Sequence, residues 1–150
     1  MTISEPIQIR WADIDANRHL RHSVYYDYGA AMRVHVLSSQ GLTSKMFEEL
    51  QMGPILFREE CLFKREILLE DKITLTLELV KATPDFARWS LRHQFLKEDG
   101  TVAAILNLDG AWIDLAKRKL AQPTDLIKKI FESFPKAPDF EMIIKESKKV

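Results

Sequence analysis

Residues 10–37 read RWADIDANRHLRHSVYYDYGAAMRVHVL. The first part of this stretch crowds Asp13, Asp15, His19 and His22 into ten residues. The second part, from Val24 to Leu37, is apolar nearly all the way round a helix. Tyr25, Tyr28, Met32 and Val36 fall at helical spacing, while Val24, Ala31, Val34 and Leu37 cover other faces. Asp27, Arg33 and His35 are its only formally ionisable residues besides the tyrosines. A helix that is hydrophobic on all sides is buried on most of them. This one is expected in the core, beginning near Ser23 and stopping at Gly41. A titratable loop thus runs straight into a core helix.

The rest of the chain supplies what could cover such a helix. Residues 5–12 read as a short strand feeding the loop. In ITLTLELVK (73–81), Ile73, Leu75, Leu77 and Leu79 alternate with Thr74, Thr76 and Glu78, the period of a strand with one solvated face. FARWSLRHQFL (86–96) sets Ala87, Trp89, Leu91 and Phe95 against Arg88, Ser90, Arg92 and Gln94. ILFREECLFKREI (55–67) alternates less cleanly, with Ile55, Phe57, Cys61, Phe63 and Ile67 on its apolar side. VAAILNLDGAWIDL (102–115) is a long, mostly apolar strand. Thr83-Pro84-Asp85 and Asp99-Gly100 mark turns. Thr124, just after Pro123, can cap a last helix over residues 125–134 that Pro135 ends. The charged tail beyond it carries Phe140, Met142, Ile143 and Ile144 and is expected to dock as a short helix. Strand, helix, then four strands on short turns predict an α+β layer structure. Its form is a curved antiparallel five-stranded sheet wrapped around a long central helix, the hotdog fold. No repeat or linker divides the chain. Residues 1–150 are read as one domain, with its core at about 7–131 and the C-terminal helix and tail after 124.

Composition narrows the function classes. A chain of 150 residues can bury roughly 70% of its unfolded surface without staples. Lys plus Arg and Asp plus Glu number 22 each, so the formal net charge is zero. Nothing there points to a nucleic-acid or general membrane partner, although a local basic patch for a phosphorylated group stays open. Cys61 stands alone, so no intrachain disulfide forms and a reducing compartment fits. The first ten residues show no basic segment followed by an apolar run, and no apolar stretch reaches the roughly 20 residues that span a bilayer. A soluble cytoplasmic protein is expected.

The segment RWADIDANRHLRHSVYYDYGAAMR (10–33) resembles the motif of hotdog-fold acyl-CoA thioesterases of the 4-hydroxybenzoyl-CoA thioesterase type. That pattern is a strand, an Asp-x-Asp pair, a short loop, a small polar or aromatic position, Tyr three residues on, and Arg further down the helix. Asp13 and Asp15 form the pair here, and His22, Tyr25 and Arg33 stand at the matching positions. His22, seven residues after Asp15, is similar to the branch associated with the bacterial Tol–Pal envelope system. GAWIDLAKRKLAQPTDL (110–126) looks like the family's last strand and exit turn, so the resemblance covers roughly residues 7–131. The chain departs from the pattern in four places. Arg18 stands where a glycine is usual, Arg21 where Asn is frequent, Ala30 or Ala31 where a mid-helix Glu is common, and Trp11 where some relatives carry Tyr.

The resemblance implies an acyl-CoA thioesterase that releases a free acid and a thiol. Coenzyme A enters as part of the substrate, and no further cofactor or metal is invoked. It also implies a homodimer or homotetramer with sites at the dimer interface. Asp15 is implied as general base for water or as nucleophile, with N–H groups at the helix start receiving the oxyanion. Read from the residues alone, Asp15 is more readily an Asx-type turn or cap than a catalyst, and Asp13 is structural. His22 is read as an oxyanion donor through its backbone N–H and a proton relay through its ring, or as an ordinary first-turn residue. Tyr25 can hydrogen-bond near the carboxylate or serve as a buried aromatic. Asp15, His19 and His22 could also form a ligand set for zinc or iron, a weaker reading because no second cluster adds ligands. Cys61 is read as a small hydrophobe and His93 as a satisfied core histidine. Arg58, Lys64, Arg65, Arg88 and Arg92 are strand-borne cations among which partners for coenzyme A phosphates can be sought. Two other functions stay open: a non-catalytic acyl-binding module, and a hotdog dehydratase or hydratase using His22 with Asp15.

Overall fold

The computed structural model describes residues 2–144. Strand β1 (Ile3–Ile7) leads through 3-10 turns at Trp11–Asp13 and His22–Val24 into helix α1 (Tyr25–Ser39). Then come helix α2 (Ser44–Leu50) and strands β2 (Met52–Phe63), β3 (Ile73–Ala82), β4 (Arg88–Lys97) and β5 (Val102–Asp114). The short β6 (Lys119–Leu120), helix α3 (Asp125–Glu132) and β7 (Lys136–Met142) end the described chain.

The five long strands follow the antiparallel path β1-β3-β4-β5-β2 and curl around α1 as the hotdog fold. The period-two pattern does its work in β3 and β4. Ile73, Leu75, Leu77 and Leu79 turn inward from β3, as do Trp89, Leu91, His93 and Phe95 from β4. Leu75 lies opposite Phe95 and Leu79 opposite Leu91, so the two inward rows pack across the pair. Gly29 lets α1 lie against this surface: a Cβ there would stand 2.4 Å from Leu106 Cδ2. The open end of the barrel is filled by aromatics. Phe131 of α3 meets Trp112 with ring centroids 5.4 Å apart and Trp89 at 5.5 Å. Thr124 caps α3 by accepting from the Ile127 N–H.

Two short strands extend the five-strand path: β6 pairs β5 and β7 pairs β3 in parallel. Four expectations need correction. The tail is therefore strand β7, not a short helix: beyond α3 the chain runs beside β3 and satisfies its free edge, Pro135 O accepting from Leu79 N–H. The first strand stops at Ile7, ahead of the Asp13 turn. Helix α1 is not covered all round. Tyr25, Gly29, Met32, Val36 and Leu37 are buried, but Ala30, Ala31 and Val34 face solvent, Val34 at 65% exposure. A half-barrel meets a helix from one side only. Phe57 and Phe63 of β2 are likewise exposed, although the alternation put them on the apolar side. Strand β2 is the edge of the five-strand path, and that flank is apolar without a cover among the described residues. Among the described residues no helix is long and apolar enough to cross a membrane.

Candidate active site

The loop between β1 and α1 is closed by its own backbone. Asp15 N–H donates to His19 O at 2.9 Å and Arg18 N–H donates to Asp15 O at 3.0 Å. Ile14 and Leu20 form an isolated antiparallel bridge, and Leu20 N–H reaches Ile67 O at 2.7 Å. Arg18 sits at φ +67°, the left-handed region that costs a non-glycine residue roughly 1–2 kcal/mol. This is the physical sense of the glycine usual at that position.

The two aspartates have different surroundings. Asp13 is buried and its oxygens are saturated. Arg10 donates to both of them at 2.9 Å, Arg21 Nη1 to Oδ1 at 3.3 Å, and the Tyr28 hydroxyl to Oδ2 at 3.3 Å. The Arg10 hydrogen bond holds the Asp13 carboxyl below the usual carboxylate range, against the opposing effect of burial. Asp15 is half-open. Its Oδ1 accepts from the Asn17 N–H at 2.9 Å, and its Oδ2 lies 3.4 Å from His19 Nδ1. That nitrogen is also 3.2 Å from Leu20 O, an acceptor, so it carries the proton.

Asp15, His19, His22 and Tyr25 line one cleft of about 380 Å³, together with Phe63, Lys64 and Arg65. His22 is exposed at the first turn before α1, and its side chain makes no contact with Asp15 like that of His19. Its backbone N–H and that of Ser23 donate to no other described backbone group. Tyr25 is wedged between Phe63 and Phe95, each ring 5.0 Å away. Burial pushes its phenol up to about 12, with Cys61 and Asp15 adding to the rise. Burial, then Glu59, raises the Cys61 thiol to about 11, so it is no thiolate nucleophile at neutral pH. Among the described residues no group of three or more His, Cys, Asp or Glu is arranged to hold a metal ion.

The cations expected on strands separate into paired and available ones. Arg58 bonds Glu60, Arg92 makes two 3.0 Å bonds to Asp139, and Arg88 lies over the Phe57 ring. Lys64 and Arg65 are not on a strand: they follow the end of β2 at Phe63 and face the cleft with no acidic partner among the described residues.

One arrangement escaped sequence reading because its members are far apart in the chain. Arg33 Nη1 donates to His93 Nε2 at 2.9 Å, and His93 Nδ1–H donates to Thr76 O at 2.8 Å. Arg33 Nη2 stands 3.5 Å from Glu59. His93 is indeed a satisfied core histidine, and burial with the Arg33 charge lowers it to about 3. Arg33 thereby ties α1 to β4 and β2.

A family model described as the thioesterase-like superfamily matches residues 9–138. The chain belongs to that superfamily. Several solved structures share the chain's fold. The SAV2348 protein of Staphylococcus aureus, solved in complex with CoA, is 22% identical with a TM-score of 0.80, over 91% of this chain and 88% of that one. Slr0204 of Synechocystis, a 1,4-dihydroxy-2-naphthoyl-CoA thioesterase, is 16% identical with a TM-score of 0.78, over 89% and 97%. A putative oleoyl thioesterase of Lactobacillus plantarum is 12% identical with a TM-score of 0.82, over 100% of this chain and 55% of that one. No curated protein sequence matches the chain. The fold and superfamily expected from residues 10–33 are thus shown, while the Tol–Pal branch is not addressed.

Proposed function

We propose that this superfamily member hydrolyses acyl-CoA thioesters, with Asp15 as general base or nucleophile. The observation that carries the reading is Asp15 itself, a carboxylate half-held by its loop in a cleft that the start of α1 closes. In the base route Asp15 takes a proton from water as the water oxygen attacks the thioester carbonyl carbon. The carbonyl oxygen gains negative charge beside the His22 and Ser23 N–H groups, where unpartnered donors and the helix dipole favour it. Collapse breaks the carbon–sulfur bond, and the proton on Asp15 passes to the departing thiolate. In the nucleophilic route an Asp15 oxygen attacks the carbon, the thiolate leaves, and water cleaves the anhydride.

Tyr25 stays a neutral phenol at physiological pH and lends a hydroxyl to the cleft floor. Lys64 and Arg65 are the cations available to coenzyme A phosphates. No metal or resident cofactor takes part. The apolar flank of α1 and β2 supports a homodimer, alone or within a tetramer, and the lone thiol of Cys61 suits the cytoplasm.

The test is steady-state hydrolysis of an acyl-CoA panel followed by free thiol release. Turnover by the wild type that collapses in folded Asp15→Asn supports the reading. Full activity in Asp15→Asn removes Asp15 from the mechanism, and a wild type that binds but never cleaves moves the acyl-binding module ahead. The Asp15–His19 contact gives a hydratase the acid–base pair it needs, so an enoyl-CoA belongs in the same panel.

A further inference from the structure

The N–H groups proposed to receive the oxyanion belong to His22 and Ser23, in the 3-10 turn His22–Val24 that precedes α1. Three residues make a weak frame. The turn closes on one backbone hydrogen bond, Val24 N–H to Arg21 O, and at 3.3 Å that bond is long. No side chain caps its start, and His22 and Ser23 are both exposed. An oxyanion donor has to be ordered beforehand, because ordering it during the reaction costs the conformational entropy that preorganisation would have removed. The turn does not supply that order from its own residues.

The order comes from Arg21, whose side chain folds back over the turn. Its Nε donates to Ser23 Oγ at 3.1 Å, and its Nη1 donates to Ala12 O at 3.0 Å and to Asp13 Oδ1 at 3.3 Å. Its backbone N–H donates to Asp13 O at 2.9 Å. One residue thus stitches the turn His22–Val24 to the turn Trp11–Asp13. The second of these is firmly seated. Asp13 is buried, takes two 2.9 Å bonds from Arg10, and accepts from Tyr28 of α1. The exposed turn is therefore referred, through Arg21, to the body of the fold.

The bridge suits a guanidinium. Its acceptors lie in three places, which a planar fork of fixed N–H directions can reach together. An ammonium carries its three donors on one atom and cannot span them. The longest of the three bonds is the one to Asp13 Oδ1, and an amide oxygen at that position would accept it equally, so the bridge does not hang on the Asp13 charge. The side chain is 41% exposed, so no buried charge is needed to make it. Arg21 does not line the Asp15 cleft.

We infer that Arg21 is a positioning residue for thioester cleavage, holding the His22–Ser23 turn so that its N–H groups meet the oxyanion. This rests on the thioesterase reading and names what its donor pair depends on.

The experiment compares the wild type with Arg21→Ala and Arg21→Lys in acyl-CoA hydrolysis, with thermal melts to fix the folded fraction. Arg21→Ala is expected to lower kcat on the order of 10- to 100-fold with KM nearly unchanged, since misplaced donors matter only once charge has formed on the carbonyl oxygen. Arg21→Lys is expected to recover little of it. Millimolar guanidinium chloride is expected to restore much of the lost kcat of Arg21→Ala in a saturable way, and ammonium chloride at the same ionic strength is not. Wild-type kcat in folded Arg21→Ala overturns the inference. So does a loss that Arg21→Lys fully repairs, which would make charge and not the bridge the cause. If Arg21→Ala does not fold, Ser23→Ala removes one end of the bridge and keeps both N–H groups. A kcat loss there without a KM change supports the bridge, and wild-type kcat overturns it.

Backbone ¹⁵N relaxation separates this inference from the catalytic one. His22 and Ser23 are expected near the rigid order parameter of about 0.85 in the wild type and below about 0.6 in Arg21→Ala. A turn equally rigid without Arg21 overturns the positioning role. A turn that loosens in a protein whose wild type cleaves no thioester supports the bridge and sinks only the catalytic reading.

Discussion

Asp13 and Asp15 are two residues apart and could hardly be treated more differently. Asp13 is buried under two arginines and a tyrosine, with each oxygen accepting from a cation. Asp15 gives one oxygen to its own loop and leaves the other at the wall of a cleft. The 3-10 turn at Trp11–Asp13 makes the difference, because it takes Asp13 out of the strand alternation and turns it under the loop. A carboxylate with all its acceptor sites filled can hold structure but has nothing left for a substrate. One held by its loop at Oδ1, with only the long 3.4 Å His19 contact at Oδ2, is oriented and still available. The difference teaches that, in a pair of identical side chains, occupied lone pairs separate support from chemistry.

The largest expected effect tests the open member. Asp15→Asn should lower kcat for acyl-CoA hydrolysis by about 10²–10⁴-fold, with a melting temperature close to wild type. Next comes acid, which probes the buried titratable groups. An unfolded His93 binds its proton near 6.5, the folded one only near 3, so between those values the unfolded state holds more protons. Stability should therefore fall as pH drops from about 6.5 to about 3, with a slope of at most about 1.4 kcal/mol per pH unit from this group. Asp13, with its lowered pKa, pushes the same way once pH falls below its ordinary 3.8. Urea titrations across this range check the sign; stability rising toward acid would contradict the His93 geometry. Asp13→Asn should cost about 1–3 kcal/mol of stability by setting a buried amide N–H group against the arginine donors, with activity lost only in proportion to the folded fraction. A large kcat loss in a fully folded Asp13→Asn would break the contrast between the two carboxylates. His22→Ala should lower kcat only about tenfold, since the backbone N–H survives the substitution. The smallest effect concerns Arg18. Arg18→Gly should leave stability unchanged or raise it by up to about 1 kcal/mol, strain relief at φ +67° being offset by a freer unfolded chain.

How much of this could be read beforehand depended on the range of the interaction. Ile73 to Leu79 and Trp89 to Phe95 declare their inward faces by alternation, which needs only neighbours in the chain. Thr124 before α3 is equally local. Strand β7 was not legible because Pro138 and Asp139 spoil the pattern of its seven residues, and its place is decided by the free edge of β3. The seven-residue α2 is too short to show a period. The apolar helix 24–37 was legible, but not which faces its own sheet would cover, since Val34 and Val36 are the same residue to a sequence pattern. In the loop, residue identity pointed to Asp15, while the closer histidine is His19 because the chain turns back on itself at Arg18.

The three tryptophans give the molecule a built-in optical reporter. Trp11 is 80% exposed on the loop, whereas Trp89 and Trp112 stand side by side in the wall of an apolar cavity between α1, α2, α3 and the sheet. Those two indoles are unlike: Trp112 Nε1 donates to Phe86 O at 2.9 Å, and Trp89 Nε1 is buried without a partner among the described residues. With Trp11 replaced by Phe, the remaining emission comes from the cavity wall alone. Its colour and quenching then follow what enters that space, without a label and without turnover.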